Sequence, residues 1–195
     1  MKTVSLPRSQ IIVALLLVLI MAATRFHHFG SAIQLPDASL AIFFLAGVYL
    51  RPAWFFPLFL ATAALIDYVA ITVGGVSSWC VTPAYFFLIP TYAAVWVAGR
   101  WYAPRHRDSW RTLAPLIGAL ALGTTVAFLI SNGSFYLFSG RFQDVTTAAY
   151  AARVARYLPP YLGYTFIYVL LAAVVHATTV ALTGLRTGHS VESKK

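Results

Sequence analysis

The chain has 195 residues, of which 60% are hydrophobic and only 10% charged. That balance excludes a soluble globular core and describes a protein that crosses a membrane several times. The formal net charge of +9 would elsewhere suggest nucleic acid. Here it orients helices, because Lys and Arg gather on the cytoplasmic side, and no nucleic-acid partner is expected.

Lys2 and Arg8 lead into a first predicted span over residues 9–24. A basic start, a short apolar run and Met21-Ala22-Ala23 also resemble a signal peptide, but an even topology needs this helix as a span. Residues 24–36 form a loop with Arg25, His27, His28 and Gln34. Asp37 reads as the N-cap of a second span over 38–50. Arg51-Pro52 then breaks the chain. The third span covers 52–73, with Pro57 either kinking it or marking its start. Next comes an uncharged loop, Gly74-Gly75-Val76-Ser77-Ser78-Trp79-Cys80-Val81-Thr82-Pro83, which holds the single cysteine. Pro83 suits a fresh helix start.

The fourth span covers 84–101, with Pro90 as a kink, and residues 100–111 form the most basic connection. The fifth runs over 113–131 and extends readily to Phe138. An outer helix over 146–157 follows, which Pro159-Pro160 should stop. The sixth span covers 161–182, ahead of a polar tail. The expected fold is thus an all-α integral membrane protein, a single domain of six transmembrane helices embedded in the lipid bilayer. With six spans, Lys2, Arg8, Arg51, Arg100, Arg105, Arg107, Arg111, Arg186, Lys194 and Lys195 fall on one side. Arg25, Arg141, Arg153 and Arg156 fall on the other. The excess assigns both termini to the cytoplasm. The Cys80 loop, the His27-His28 loop and the Arg153 helix then share the outer face.

Several side chains on that face could carry chemistry. A carboxylate at membrane depth, such as Asp67, costs at least about 2.5 kcal/mol and normally faces a polar cavity or a partner. It reads as a pocket acceptor, as the partner of Arg153, or as a structural hydrogen bond. Tyr150, Arg153 and Tyr157 share one helical face, able to clamp amides or phosphate, or to meet lipid headgroups as Arg156 does. Tyr85, Tyr92 and Trp96 recur at helical spacing, with Tyr85 nearest Cys80. Cys80 is either an inert small hydrophobe or a ligand and nucleophile. His28 could reach an outer pocket as a metal ligand. His176, inside the sixth span, reads as a core histidine, and His106 and His189 as solvated. Small residues at Ala94 and Ala98, at Ala119, Gly123 and Ala127, and at Ala173, Ala177 and Ala181 permit close helix contact. The motifs GxxxxGK[ST], CxxC, HExxH and CxxCH do not occur, so the sequence offers no P-loop ATP site.

Six short spans resemble the substrate-binding S-components of energy-coupling-factor (ECF) transporters. More specifically, the chain resembles the BtuM family of bacterial proteins implicated in cobalamin uptake. The matching stretches are His27-His28-Phe29, Leu35-Pro36-Asp37-Ala38-Ser39, Asp67-Tyr68 and Ser78-Trp79-Cys80-Val81-Thr82-Pro83-Ala84-Tyr85. The resemblance implies a bacterial inner-membrane transport protein. Its Cys80 would be the axial ligand to the cobalt of bound cobalamin and the reactive group in any loss of cyanide from cyanocobalamin. Asp67, Tyr85, Arg153, His28 and Trp79 would hold the corrin. An ECF energising module is the implied partner. The first helix departs from the usual docking pattern, since Ala14-Leu15-Leu16-Leu17-Val18 lacks a second small residue. The alternative from another class is a membrane haem or quinone redox subunit with His28 and His176 as ligands.

Overall fold

The computed structural model describes residues 7–25, 35–107, 109–143 and 146–192, with side chains as far as residue 182. The regular structure of these residues is entirely helical: α1 (Arg8–Arg25), α2 (Ser39–Tyr49), α3 (Phe55–Thr72), α4 (Leu88–Tyr102), α5 (Leu113–Phe138) and α6 (Thr147–Glu192), joined in places by short 3-10 turns. Four helices are long and apolar enough to cross a membrane: Arg8–Arg25, Phe55–Thr72, Trp110–Phe138 and Thr147–Leu182. At 11 residues, α2 is well short of the roughly 20 that span a bilayer.

That short helix is the centre of the molecule. It is apolar on every side, and a helix of that kind must be enclosed by others. Ala41, Ile42, Phe43, Phe44 and Ala46 are all sealed from solvent. Phe43 stacks on Tyr92 of α4 and meets Phe56 and Phe59 of α3 edge-on. Glycines let α2 and α4 touch backbone to backbone: a Cβ at Gly99 would overlap the Phe44 carbonyl, and one at Gly47 the Trp96 carbonyl. One turn on, Gly123 of α5 leaves room for Ala98 of α4. The small residues at 94–98 and 119–127 are therefore packing sites within the bundle.

Asp37 stands one residue outside the cap position. It accepts from the backbone N–H and the hydroxyl of Ser39, at 2.9 and 2.6 Å, while Ala38 is the formal N-cap. Pro57 lies in the first turn of α3, so it marks a start rather than a kink. A larger correction concerns Pro159-Pro160. Instead of stopping an outer helix at 157, both prolines lie inside α6, which runs unbroken from Thr147. Proline removes a donor and crowds the preceding turn. Yet in an apolar setting, unwinding would strip further backbone groups of partners with no water to replace them, so the helix persists.

Candidate functional site

Arg25 closes α1, Asp67 lies in the second half of α3, and Tyr92 lies in α4; all three are buried, with Arg25 at 2% and Asp67 at 3% exposure. The guanidinium grips the carboxylate with two parallel bonds, Nε to Oδ1 at 2.8 Å and Nη2 to Oδ2 at 2.7 Å. This fork-to-fork pairing is the strongest arrangement open to two such groups. The remaining donor, Nη1, bonds the Ser39 hydroxyl at 2.9 Å and the Tyr92 hydroxyl at 2.6 Å, with Asp37 at 3.6 Å. Four helices thus contribute to one buried polar knot. Such a knot tolerates burial because its members satisfy one another.

The partner of Asp67 is therefore Arg25, not Arg153. The guanidinium of Arg25 ends its helix at the depth of Asp67 on the neighbouring α3, whereas Arg153 belongs to α6 and packs elsewhere. The sequence did contain a signal: one arginine and one aspartate, each near the same end of its apolar segment. The expected loop over residues 24–36 begins too early, and Arg25 is instead the last residue of α1.

From this knot one bond reaches outward. The Tyr85 hydroxyl donates to Asp67 Oδ2 at 2.6 Å. Tyr85 belongs to the 3-10 turn Pro83–Phe87, immediately after the turn Ser78–Cys80 that carries the thiol. Asp67 anchors the start of that segment from below. On the other flank, Arg141 lies over the Trp79 ring at 4.1 Å and donates to the Trp79 carbonyl at 3.4 Å. Cys80 is held between these two restraints and is half-buried. Burial pushes its thiol up from the ordinary value, nearby Asp67 adds to the rise, and Arg141 opposes it. The free thiol is thus protonated at neutral pH.

Arg153 reaches the same end by another route. Its guanidinium lies 4.6 Å from the ring centre of Phe142, next to Arg141 in the chain, and 5.2 and 5.9 Å from those of Tyr157 and Tyr136. Tyr150 stacks on Tyr136, so Tyr150, Arg153 and Tyr157 do share a face directed at α5. Arg156, by contrast, is exposed beside Tyr157. Three buried polar atoms at this end have no hydrogen-bond partner among the described residues: Thr82 Oγ1, Asn132 Oδ1 and Arg153 Nε. An unpaired buried donor or acceptor costs about 1–3 kcal/mol, so such atoms mark places where a ligand or water belongs.

The structure thus brings Cys80, Trp79, Asp67, Tyr85 and Arg153 to one end of the bundle. His28 and His27 lie outside the described residues. His176 is at the opposite end, where its ring meets His106 at 4.9 Å and Tyr49 at 6.0 Å. Among the described residues no group of three or more His, Cys, Asp or Glu side chains gathers to hold a bare metal ion. A single thiolate can still serve a metal that arrives already chelated. The charge count gives Arg25 and Arg141 this side but no role in a site, and nothing in the sequence points to Asn132. No family model and no curated protein matches this chain. The fold and its composition define a helical protein with four helices suited to a membrane.

Proposed function

We propose that this chain binds cobalamin at the Cys80 end and carries it across the bacterial inner membrane, as a six-span protein with both termini in the cytoplasm. The cobalt is ligated axially by the Cys80 thiolate. The observation that carries this reading is the set of unpaired buried atoms at the same end of the bundle as the thiol: Thr82 Oγ1, Asn132 Oδ1 and Arg153 Nε. A corrin rim bears many amides, which offer both donors and acceptors, and such a rim would satisfy all three. Trp79, 51% exposed, offers a flat apolar surface to the macrocycle. Asp67 contributes by holding Tyr85, and His28 is the candidate for the opposite ring face.

Ligation would replace the thiol proton with cobalt, and the nucleotide-loop base that occupied that face would leave with its own electron pair. The new sulfur–cobalt bond pushes electron density toward the opposite face and loosens the cobalt–carbon bond to cyanide. Cyanide leaves with that electron pair and takes up the released proton, while cobalt keeps its oxidation state. Transport through an ECF energising module would need a docking surface other than a small-residue stripe on α1. That helix turns Ile12, Leu15, Leu16 and Leu19 outward.

The test is the visible spectrum of protein purified with cyanocobalamin, compared with that of Cys80→Ala. A shifted cobalt spectrum and free cyanide in the wild type, both absent in the variant, are expected. Identical spectra would exclude thiolate ligation. Uptake in a cobalamin-dependent strain lacking its own importer, with and without an energising module, then decides the partner.

A further inference from the structure

Far from the thiol, a groove opens among α2, α4, α5 and α6. Its volume is about 400 Å³. A second cavity of about 360 Å³ between α5 and α6 continues it, since Leu113, Leu116, Val169 and Ala173 line both. The walls are mostly apolar, interrupted partway along by His176 beside His106 and Tyr49. A permanent charge enters the lining at one mouth, where Arg107, Ser109 and Trp110 replace the aliphatic side chains.

The dimensions select the occupant. Along α6 the first cavity runs from Val169 to beyond Val180, about 18 Å at 1.5 Å per residue. Spreading 400 Å³ over that length leaves a cross-section of roughly 20 Å². That admits one hydrocarbon chain and refuses a helix about 10 Å across. The mouth selects the headgroup. Arg107 is exposed there, with Arg105 against Trp101 and Arg111 beside Trp110. The lining residues include no carboxylate. Asp108 follows Arg107 in the chain, and even with it residues 100–111 keep a positive balance through Arg100, Arg105, Arg107 and Arg111. Paired Trp and Arg are the side chains that sit at a bilayer's headgroup level.

We infer that this groove is a binding site for one anionic phospholipid, with one of its two acyl chains between α5 and α6, the other in the surrounding bilayer, and its phosphate at Arg107. The inference does not depend on the cobalamin reading. The lipid fills space that the protein leaves open beside α6, whose apolar stretch is only 11% buried.

The experiment uses the full chain, delipidated in detergent and loaded with phosphatidylglycerol or with phosphatidylcholine of the same acyl chains. Retained lipid is then counted by native mass spectrometry. Phosphatidylglycerol should be retained preferentially. Arg107→Gln should lower its retention about fivefold, the worth of one cation near an anionic headgroup, and leave phosphatidylcholine unchanged. Ala177→Phe, which narrows the groove from an exposed position, should reduce retention of both. Glycerophosphoglycerol, a headgroup without chains, should not displace the lipid. Equal retention of the two lipids, an unchanged preference in Arg107→Gln, or full displacement by the chainless headgroup would each overturn the inference.

Discussion

The two ends of this bundle solve the problem of polarity in an apolar body in opposite ways. At the Cys80 end, charged groups are buried and knotted together: Arg25 to Asp67, then Tyr85, Tyr92 and Ser39. At the Arg107 end, the charges stay on the rim, and the space behind them is an apolar groove. There Arg100 donates to the carbonyls of Leu50 and Arg51, and Arg105 to that of Trp101, so these arginines tie off helix ends. The first arrangement fixes side chains at defined positions, which a site for a specific ligand requires. The second leaves a volume defined by shape alone, which suits a flexible chain. A membrane protein can thus hold a rigid site and a soft one a few helical turns apart.

The comparison breaks most sharply at the ion pair. Asp67→Asn leaves a buried guanidinium without its carboxylate, and a loss of about 3–5 kcal/mol is expected, measured by unfolding in detergent micelles. The paired change Arg25→Met with Asp67→Leu should recover most of that loss, because neither charge is then left buried alone. A single variant as stable as the wild type would mean that the knot contributes nothing.

Packing is the next test. Gly99→Ala drives a methyl group into the Phe44 carbonyl, and overpacking of this kind costs about 1–3 kcal/mol. Gly118→Ala meets nothing within 4 Å, so it should be neutral or gain up to about 1 kcal/mol from helix propensity. Similar effects from the two substitutions would contradict the close α2–α4 contact.

The mildest test is pH. Burial raises the Cys80 thiol above its ordinary value, so the free protein holds that proton at neutral pH and cobalt must displace it. Affinity for a cyanide-free corrinoid should therefore climb by up to tenfold per pH unit, and level off only above the raised thiol value, whereas with cyanocobalamin the departing cyanide takes up the proton. Calorimetric titration across neutral to alkaline pH checks this, and the slope should vanish in Cys80→Ser. A flat profile in the wild type with the cyanide-free form would mean that no proton is exchanged at the sulfur.

Much of this was legible in the chain. Long apolar runs announced α1, α3 and α5, and the Gly-Gly and Pro83 punctuation framed the cysteine turn. The alternation of basic residues grouped the Cys80 loop and the Arg153 helix at one end, together with the His27-His28 loop that lies outside the described residues, and the helical spacing of Tyr150, Arg153 and Tyr157 gave their shared face. Such features depend on composition and local periodicity, which a sequence carries in full. The pairing of Arg25 with Asp67 does not. It joins residues 42 positions apart, and many arginines were available to one carboxylate. The unbroken run of α6 through Pro159 and Pro160 likewise overrode a local rule, because the surrounding apolar medium set the cost of opening the helix. Sequence alone determined which long segments are apolar enough to cross a membrane and which side chains within them are too polar to be idle. Only the tertiary structure decided which of those groups meet, because partner choice depends on helix depth and rotation, and these are set by close contacts such as Gly47 and Gly99 against the neighbouring backbone.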